Sequence, residues 1–242
     1  MPDLEPGTHT LELTYDTATE LGVLKAQREI TIEAPIFRKL AAIYKRATRS
    51  GDHTGAAECR EEVLSRRNMR VITPGEEVPI DLLNSGPQVP HEFSATVRWY
   101  PEENFLKAVV DVVDANYAAA PSEELRRRRG YVQLFVCPSG MDQDITLIHI
   151  TSPSPGSRQA EVYPESIAES SDIDALWDVT PAGYTVEVKI SWKNLAGYQT
   201  DWTLMPVEAM VCSKWRDWSY FIMNKPGEPR ESARSYAALA RN

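Results

Sequence analysis

The side chains best suited to chemistry are a row of arginines and a knot of aromatics. Arg126, Arg127, Arg128 and Arg129 form the one dense basic run. A guanidinium is planar, permanently charged and forked, so it suits bidentate recognition of a carboxylate or sulfate. The competing reading is a solvated charge run paired with Glu123 and Glu124. Trp215, Trp218 and Tyr220 place three aromatics within six residues, after strand-like text that ends at Cys212. A loop or bent edge is expected there, and Trp177 stands in a second expected loop, residues 174–178. An exposed Trp or Tyr stacks its face on a pyranose ring and hydrogen-bonds at its tip, whereas the same ring turned inward is core. Trp99 and Trp192 lie in strand-like text and read as core.

No Lys or Arg occurs between Arg158 and Lys189, while Glu161, Glu165, Glu169, Asp172, Asp174 and Asp178 accumulate. Calcium takes oxygen ligands of this kind, but the spacing matches no calcium-loop motif. A solvated acidic loop is the preferred reading, and no cofactor is expected; calcium is the one ion whose ligand chemistry is present. Cys59, Cys137 and Cys212 match no metal-ligand spacing. Two readings stay open for them: three buried reduced thiols, or one disulfide, with Cys137 and Cys212 the better pair because both sit in strand-like text. His9, His53, His91 and His149 are scattered, and no nucleophile elbow, phosphate loop or zinc helix signature is present. A non-catalytic chain is expected.

What positions these groups follows from the bulk properties and the periodicity. At 242 residues, with 42% hydrophobic and 25% charged residues, the chain can bury a sizeable core. A net charge of -9 argues against general affinity for nucleic acid. No apolar run approaches the roughly 20 residues of a membrane span, so no membrane insertion is expected. The first residues lack the basic start and apolar centre of a signal peptide. Two readings follow, a cytoplasmic chain or, the preferred one, a mature piece or segment of a longer multidomain protein, with the text from Pro6 resembling the closing edge of an immunoglobulin-like domain.

Residues 1–35 read as a β-hairpin, with strands at 8–15 and 23–33 joined by a polar turn. Residues 36–69 read as a helical hairpin linker: Phe37, Leu40, Ala41, Tyr44 and Ala47 form one stripe, and Ala56, Cys59, Val63 and Leu64 a second. Residues 70–242 read as the main domain. Strands are expected at 92–100, 105–113, 131–137, 145–151, 159–163, 184–192 and 205–212, separated by Pro/Gly-rich turns. The clearest is 183–195, where Tyr184, Val186, Val188, Ile190 and Trp192 alternate with Thr185, Glu187, Lys189 and Ser191. Many short strands with such punctuation and no long helix between them predict a mainly β fold, an antiparallel β-sandwich.

Three blocks carry a resemblance to a known family. Residues 95–114 hold Trp99 and a valine-rich strand ending in Asp114, residues 130–138 read GYVQLFVCP, and residues 183–195 read GYTVEVKISWKNL. Together with a closing segment at 235–239, these resemble the core strands of the family 9 carbohydrate-binding modules. The likeness spans about residues 92–240, and its motifs are fold-bearing rather than catalytic. It implies a non-catalytic carbohydrate-binding module of a larger polysaccharide-degrading or cell-surface protein, extracellular, with a polysaccharide or oligosaccharide and adjacent domains as partners. It also places residues 121–129 and 225–234 beside the family's ligand. There the family carries tryptophans, and this chain carries the arginine run together with Arg230 and Arg234. Gly130, Gln133 and Cys137 replace acidic positions of the family. With Gln133 at the polar edge of the sugar and Trp177, Trp215, Trp218 and Tyr220 for stacking, the implied ligand is an anionic glycan. Two alternatives stand: a structural or protein-interaction sandwich that has lost sugar binding, and, more weakly, a haem-binding electron-transfer domain drawing on Met205, Met210, Met223 and His149.

Overall fold

A computed structural model of the chain describes residues 7–16, 23–32, 35–67, 69–80, 82–83, 91–120, 122–123, 130–141, 144–164, 173–215, 218–223 and 237–241. Of these, 7–16, 23–32, 35–38, 82–83, 164, 215 and 218–223 are described through their backbone. The chain divides into two compact units, Met1–Arg66 and Arg67–Asn242.

In the first unit, β1 (Gly7–Asp16) and β2 (Val23–Ile32) pair antiparallel, from Gly7 opposite Ile32 to Asp16 opposite Val23. Helices α1 (Pro35–Ser50) and α2 (His53–Arg66) follow. Proline at the start of α1 has no N–H for the helix to leave unpaired. At its end Gly51 takes φ +74°, a left-handed conformation that a side chain would strain. Asp52 then starts α2, its carboxylate accepting a hydrogen bond from the Gly55 N–H at 3.0 Å. Leu40, Tyr44 and Ala47 are buried at helical spacing, as are Ala56, Cys59, Val63 and Leu64.

The second unit contains β3 (Val71–Ile72), β4 (Val78–Ile80), β5 (Leu82–Leu83), β6 (Phe93–Pro101), β7 (Phe105–Asp114), the short helix α3 (Ala115–Ala118) and β8 (Gly130–Val136). After these come β9 (Thr146–Thr151), β10 (Glu161–Pro164), β11 (Ile173–Thr180), β12 (Gly183–Ser191), β13 (Leu204–Trp215), β14 (Trp218–Met223) and β15 (Ala237–Ala240). Among the described residues these strands form two sheets. One runs in the order β11-β12-β7-β6-β4; the other runs β10-β9-β8-β13-β14-β5, with β15 paired to β13 and β3 to β15. Every pairing is antiparallel except β3 with β15. The expected mainly β sandwich is the fold.

Alternation explains the packing. On β7, Leu106, Ala108, Val110 and Val112 are buried, and on β12 so are Tyr184, Val186, Val188 and Ile190. They meet Val132, Leu134 and Val136 of β8 and Met205, Val207, Ala209 and Val211 of β13 in one core. Each such aliphatic side chain contributes about 1.5–3 kcal/mol by leaving water. On the outer face of the five-stranded sheet, Arg98 pairs with Asp111, which also accepts a hydrogen bond from Thr185 Oγ1 at 2.7 Å. Gly183 is required where β12 meets β7, because a Cβ there would lie 2.2 Å from the Val112 carbonyl oxygen.

Two segments differ from the sequence expectation. Residues 174–178 lie inside β11 rather than in a loop, with Ile173, Ala175 and Trp177 facing the core and Asp174 outward. The aromatic segment from Trp215 to Tyr220 holds the end of β13 and the start of β14, with Trp215 opposite Trp218 and Tyr220 opposite Ser213. All three cysteines are buried thiols rather than disulfide partners. The Cys137 thiol donates to the Met141 carbonyl at 3.1 Å.

Candidate functional site

At the end of the sandwich where β7 and β9 finish, three pieces of chain surround a cleft of about 290 Å³. The first is α3. Asp114 caps it, its carboxylate accepting from the Tyr117 N–H at 2.9 Å, and this turn sends Tyr117 into the core. The second is the turn after β9, where the Ser157 N–H donates to the Ser154 carbonyl at 3.0 Å and Gly156 takes φ +80°. The third is the end of β11, which bears Trp177, Asp178 and Val179.

The cleft floor is aromatic and sealed. Trp177 stacks on Tyr184 with ring centroids 4.2 Å apart, and Tyr117 approaches Tyr184 at 4.6 Å. The Trp177 indole N–H donates to the Tyr117 hydroxyl at 3.0 Å, and the two residues are only 2% and 1% exposed. Burial holds the Tyr184 phenol far above its ordinary range, so it stays neutral.

The walls are polar. Arg158 and Asp178 form a bidentate pair, Nε to Oδ1 at 2.5 Å and the second nitrogen to Oδ2 at 2.6 Å. These hydrogen bonds hold the Asp178 carboxyl below its usual range. Backbone bonds set the pair in place: the Trp177 N–H donates to the Arg158 carbonyl at 2.8 Å and the Ala160 N–H to the Ala175 carbonyl at 2.9 Å. Across the cleft Glu123 accepts from the Gly156 N–H at 2.9 Å. Ser152, 2% exposed, lines the cleft with a hydroxyl that has no hydrogen-bond partner among the described residues. A buried hydroxyl without a partner carries a desolvation cost, which a ligand or water hydroxyl in the cleft would relieve.

Behind this floor, His91 faces both Ser213 and Asp114. One nitrogen, Nε2, lies 3.1 Å from Ser213 Oγ and 3.4 Å from Asp114 Oδ1. A charge-relay triad holds the imidazole through one nitrogen and uses the other as base, so this trio is not one. Ser213 is also fully buried. Burial pushes the Asp114 carboxyl up and the His91 imidazole down.

Of the residues singled out from the sequence, Trp177 reaches this cleft, as its floor. Gln133 does not: it is buried on the face of β8 away from the sandwich core, and its amide nitrogen lies 2.9 Å from His149 Nδ1. The backbones of Trp215, Trp218 and Tyr220 lie in β13 and β14. Arg126, Arg127, Arg128, Arg129, Arg230 and Arg234 lie outside the described residues, as do Glu165, Glu169 and Asp172. Glu161 accepts from Ser154 and Tyr163, and Asp174 from Gln159. Among the described residues no group of three or more His, Cys, Asp or Glu is arranged to hold a metal ion. Met205 lies in the sandwich core, whereas Met210 packs on Phe135, Cys137 and Leu147 on the other face, so the two cannot flank one haem iron. No described helix is long and apolar enough to cross a membrane. Tyr117, Ser152 and Arg158 were not singled out from the sequence; residues 152–156 read only as a turn, and their serine-proline content was the available signal.

No protein-family model matches the chain, and no curated protein matches it. Among solved structures it is similar to a family 9 carbohydrate-binding module from Caldicellulosiruptor kristjanssonii in complex with cellotriose. That likeness has 14% identity and a TM-score of 0.50, covering 71% of this chain and 92% of the other. A module of the same family and organism in complex with glucose is similar at 15% identity and a TM-score of 0.49, over 71% of this chain and 95% of that one. At this identity the first likeness is one of fold: the chain has a β-sandwich like that of the family 9 carbohydrate-binding modules.

Proposed function

We propose that the chain is a non-catalytic carbohydrate-binding module whose ligand is an anionic glycan. The observation that carries this reading is a cleft with polar walls and a preorganised aromatic floor, at one end of a sandwich whose fold is like that of a module in complex with cellotriose. The arginine run at 126–129 is bracketed in sequence by Glu123, a cleft wall, and Gly130, the first residue of β8. In this reading Arg126, Arg127, Arg128 and Arg129, with Arg230 and Arg234, pair with carboxylate or sulfate groups, and Ser152 and Arg158 meet hydroxyls. Stacking falls to Trp215, Trp218 and Tyr220; Trp177 shapes the floor from beneath, because its ring is committed to the core. Affinity for so open a site is in the millimolar to micromolar range, about -4 to -8 kcal/mol. The parent is an extracellular polysaccharide-degrading or cell-surface protein. Residues 1–35, a hairpin from the edge of a preceding domain, and the helical linker at 36–69 join the sandwich at 70–242 to its neighbours.

The test is retention of the purified chain on neutral and anionic polysaccharides at low and moderate salt. Retention on an acidic or sulfated glycan that weakens with salt, and is lost on Arg127→Ala with Arg128→Ala, is the expected result. Failure to bind any glycan would overturn the reading. A second reading, a scaffold that has lost its sugar site, draws on one observation: the Trp177 ring is closed off by Tyr117 and Tyr184 rather than offered to a ligand. Sugar-independent capture of neighbouring domains of the parent is what that account expects.

A further inference from the structure

A second cleft, also about 290 Å³, opens at the opposite end of the sandwich. β7 separates the two ends: it runs ten residues from the turn at Glu102 and Glu103 to α3, a span of about 30 Å. The second cleft is lined by the part-exposed Tyr198 and, beneath it, the buried Trp192 and Trp202, and its rim carries Glu102, Glu103 and Arg241. Trp192 and Tyr198 stack almost face to face, 4.7 Å between centroids and 8° between planes. Trp202 sits at 6.2 Å from Trp192, and the Arg241 guanidinium lies over its ring at 5.8 Å.

The cleft is built rather than incidental. The Trp192 indole N–H donates to the carbonyls of both Glu102 and Glu103, at 3.0 and 3.2 Å, so the β6–β7 turn and the ring fix each other. The chain from Trp192 to Trp202 is held by successive turns: Leu195 N–H to the Trp192 carbonyl at 3.1 Å, Tyr198 N–H to the Leu195 carbonyl at 3.1 Å, and Ala196 N–H to Thr146 Oγ1 at 3.1 Å. Arg241 is anchored by its own N–H to the Thr203 carbonyl at 3.0 Å and by a guanidinium bond to the Thr200 carbonyl. Little ordering is left for a ligand to impose.

The rim selects the ligand. Two carboxylates oppose an anion, and a guanidinium opposes a cation. A neutral polyhydroxylated ligand suits both signs at once, because its hydroxyls donate to carboxylates and accept from the guanidinium. Of the three rings only Tyr198 is part-exposed, with Trp192 stacked on it and Trp202 in the core, so the Tyr198 ring is the one that matches the apolar face of a pyranose. We propose that Tyr198, backed by the buried Trp192, forms a second site with Glu102, Glu103 and Arg241, for the uncharged residue of a saccharide. This goes beyond the function proposed above, in both the location and the charge of the ligand.

The experiment is an NMR titration of the full chain with neutral trisaccharides of glucose, xylose and mannose, with trigalacturonic acid and with lysine amide. Two reporters separate the sites: the Trp192 indole N–H for this cleft and the Gly156 amide for the other. A saturable shift of Trp192 with a neutral trisaccharide, weakened about tenfold by Tyr198→Ala, is expected. Glu103→Gln, at an exposed position, gives a second variant that keeps the fold and weakens binding in the same direction. Shifts of Gly156 alone would overturn this inference and leave the first site standing. Shifts of Trp192 alone would support it and count against the first. A Trp192 response to lysine amide but to no sugar, or to nothing, overturns it.

Discussion

Replacing Trp177 by alanine separates a core residue from a ligand platform. The ring is 2% exposed, stacked on Tyr184 and bonded to Tyr117. An aromatic side chain of this size buries about 200 Å², which at about 25 cal/mol per Å² corresponds to about 5 kcal/mol. The unfolded chain already hides part of that surface, which brings the figure to about 3–4.5 kcal/mol. Truncation also leaves the Tyr117 hydroxyl without its donor, about 1 kcal/mol more when it stays buried. Partial collapse of the cavity offsets some of this, so the expected loss is about 3–5 kcal/mol, in the range of large aromatic truncations. For a domain of this length that lowers Tm by about 6–20 °C. Urea unfolding of wild type and variant, followed by near-ultraviolet circular dichroism, measures it. Trp177→Phe keeps an aromatic ring and removes the indole N–H, so it falls between the two. A cycle with Tyr117→Phe isolates the hydrogen bond. A loss below about 1 kcal/mol for Trp177→Ala, well under the cost of an ordinary core truncation, would refute the packing argument and return Trp177 to the ligand.

The remaining expectations follow from particular contacts. Gly183→Ala puts a Cβ against the Val112 carbonyl and the Asp114 amide, both backbone; strand β12 must shift, at a cost of about 2–3 kcal/mol or more by urea unfolding. The Asp114 carboxyl is pushed above its ordinary value of 3.8 by burial, so its contribution to stability is fully present below pH 3.8 and is lost as pH rises through the folded value. Asp114→Asn keeps a capping oxygen and removes that loss, so the variant should gain on wild type as pH rises above 3.8; a variant that instead falls behind wild type with rising pH refutes the sign. His91 has the opposite sense: its imidazole is pushed below 6.5, so its contribution is present above pH 6.5 and lost as pH falls through the folded value, which His91→Gln should flatten. Cys59, Cys137 and Cys212 are buried thiols outside any disulfide, so an aqueous thiol reagent should label them only on unfolding, and fast labelling of the native chain would contradict the packing.

How much of this was legible depended on whether burial left a period in the text. β7 and β12 are half-buried strands, and their alternation gave both the sandwich and its inward residues. β11 alternates as well, but its outward Asp174 and Asp178 belong to a longer acidic stretch whose charge masked the inward Ile173, Ala175 and Trp177. β14 reads WSYFIM, with too few polar residues to show a period, so the text predicts only a loop or bent edge there. β3 and β5 are two residues each, too short for any pattern, and exist because the longer strands beside them offer partners.

The clefts were less legible than the sheets, for a related reason. Each is assembled at strand ends from segments far apart in sequence: Tyr117 with Ser152 and Arg158 at one end, Glu102 with Tyr198 and Arg241 at the other. Long-range pairing brings such segments together, β7 against β12 and β6 in one sheet and the bridge of Gln159 to Leu176 that ties the turn after β9 to β11, and no local spacing encodes it. Charge then divides the two ends. Asp178 already answers Arg158, so ligand charge at that end must be met by residues outside the pair. At the other end Glu102, Glu103 and Arg241 line one cleft with Tyr198, and carboxylates beside a guanidinium serve hydroxyls of either hydrogen-bonding sense. A chain with both ends competent would hold a saccharide bearing charged and uncharged residues at two points, and its avidity would exceed either affinity without any new contact.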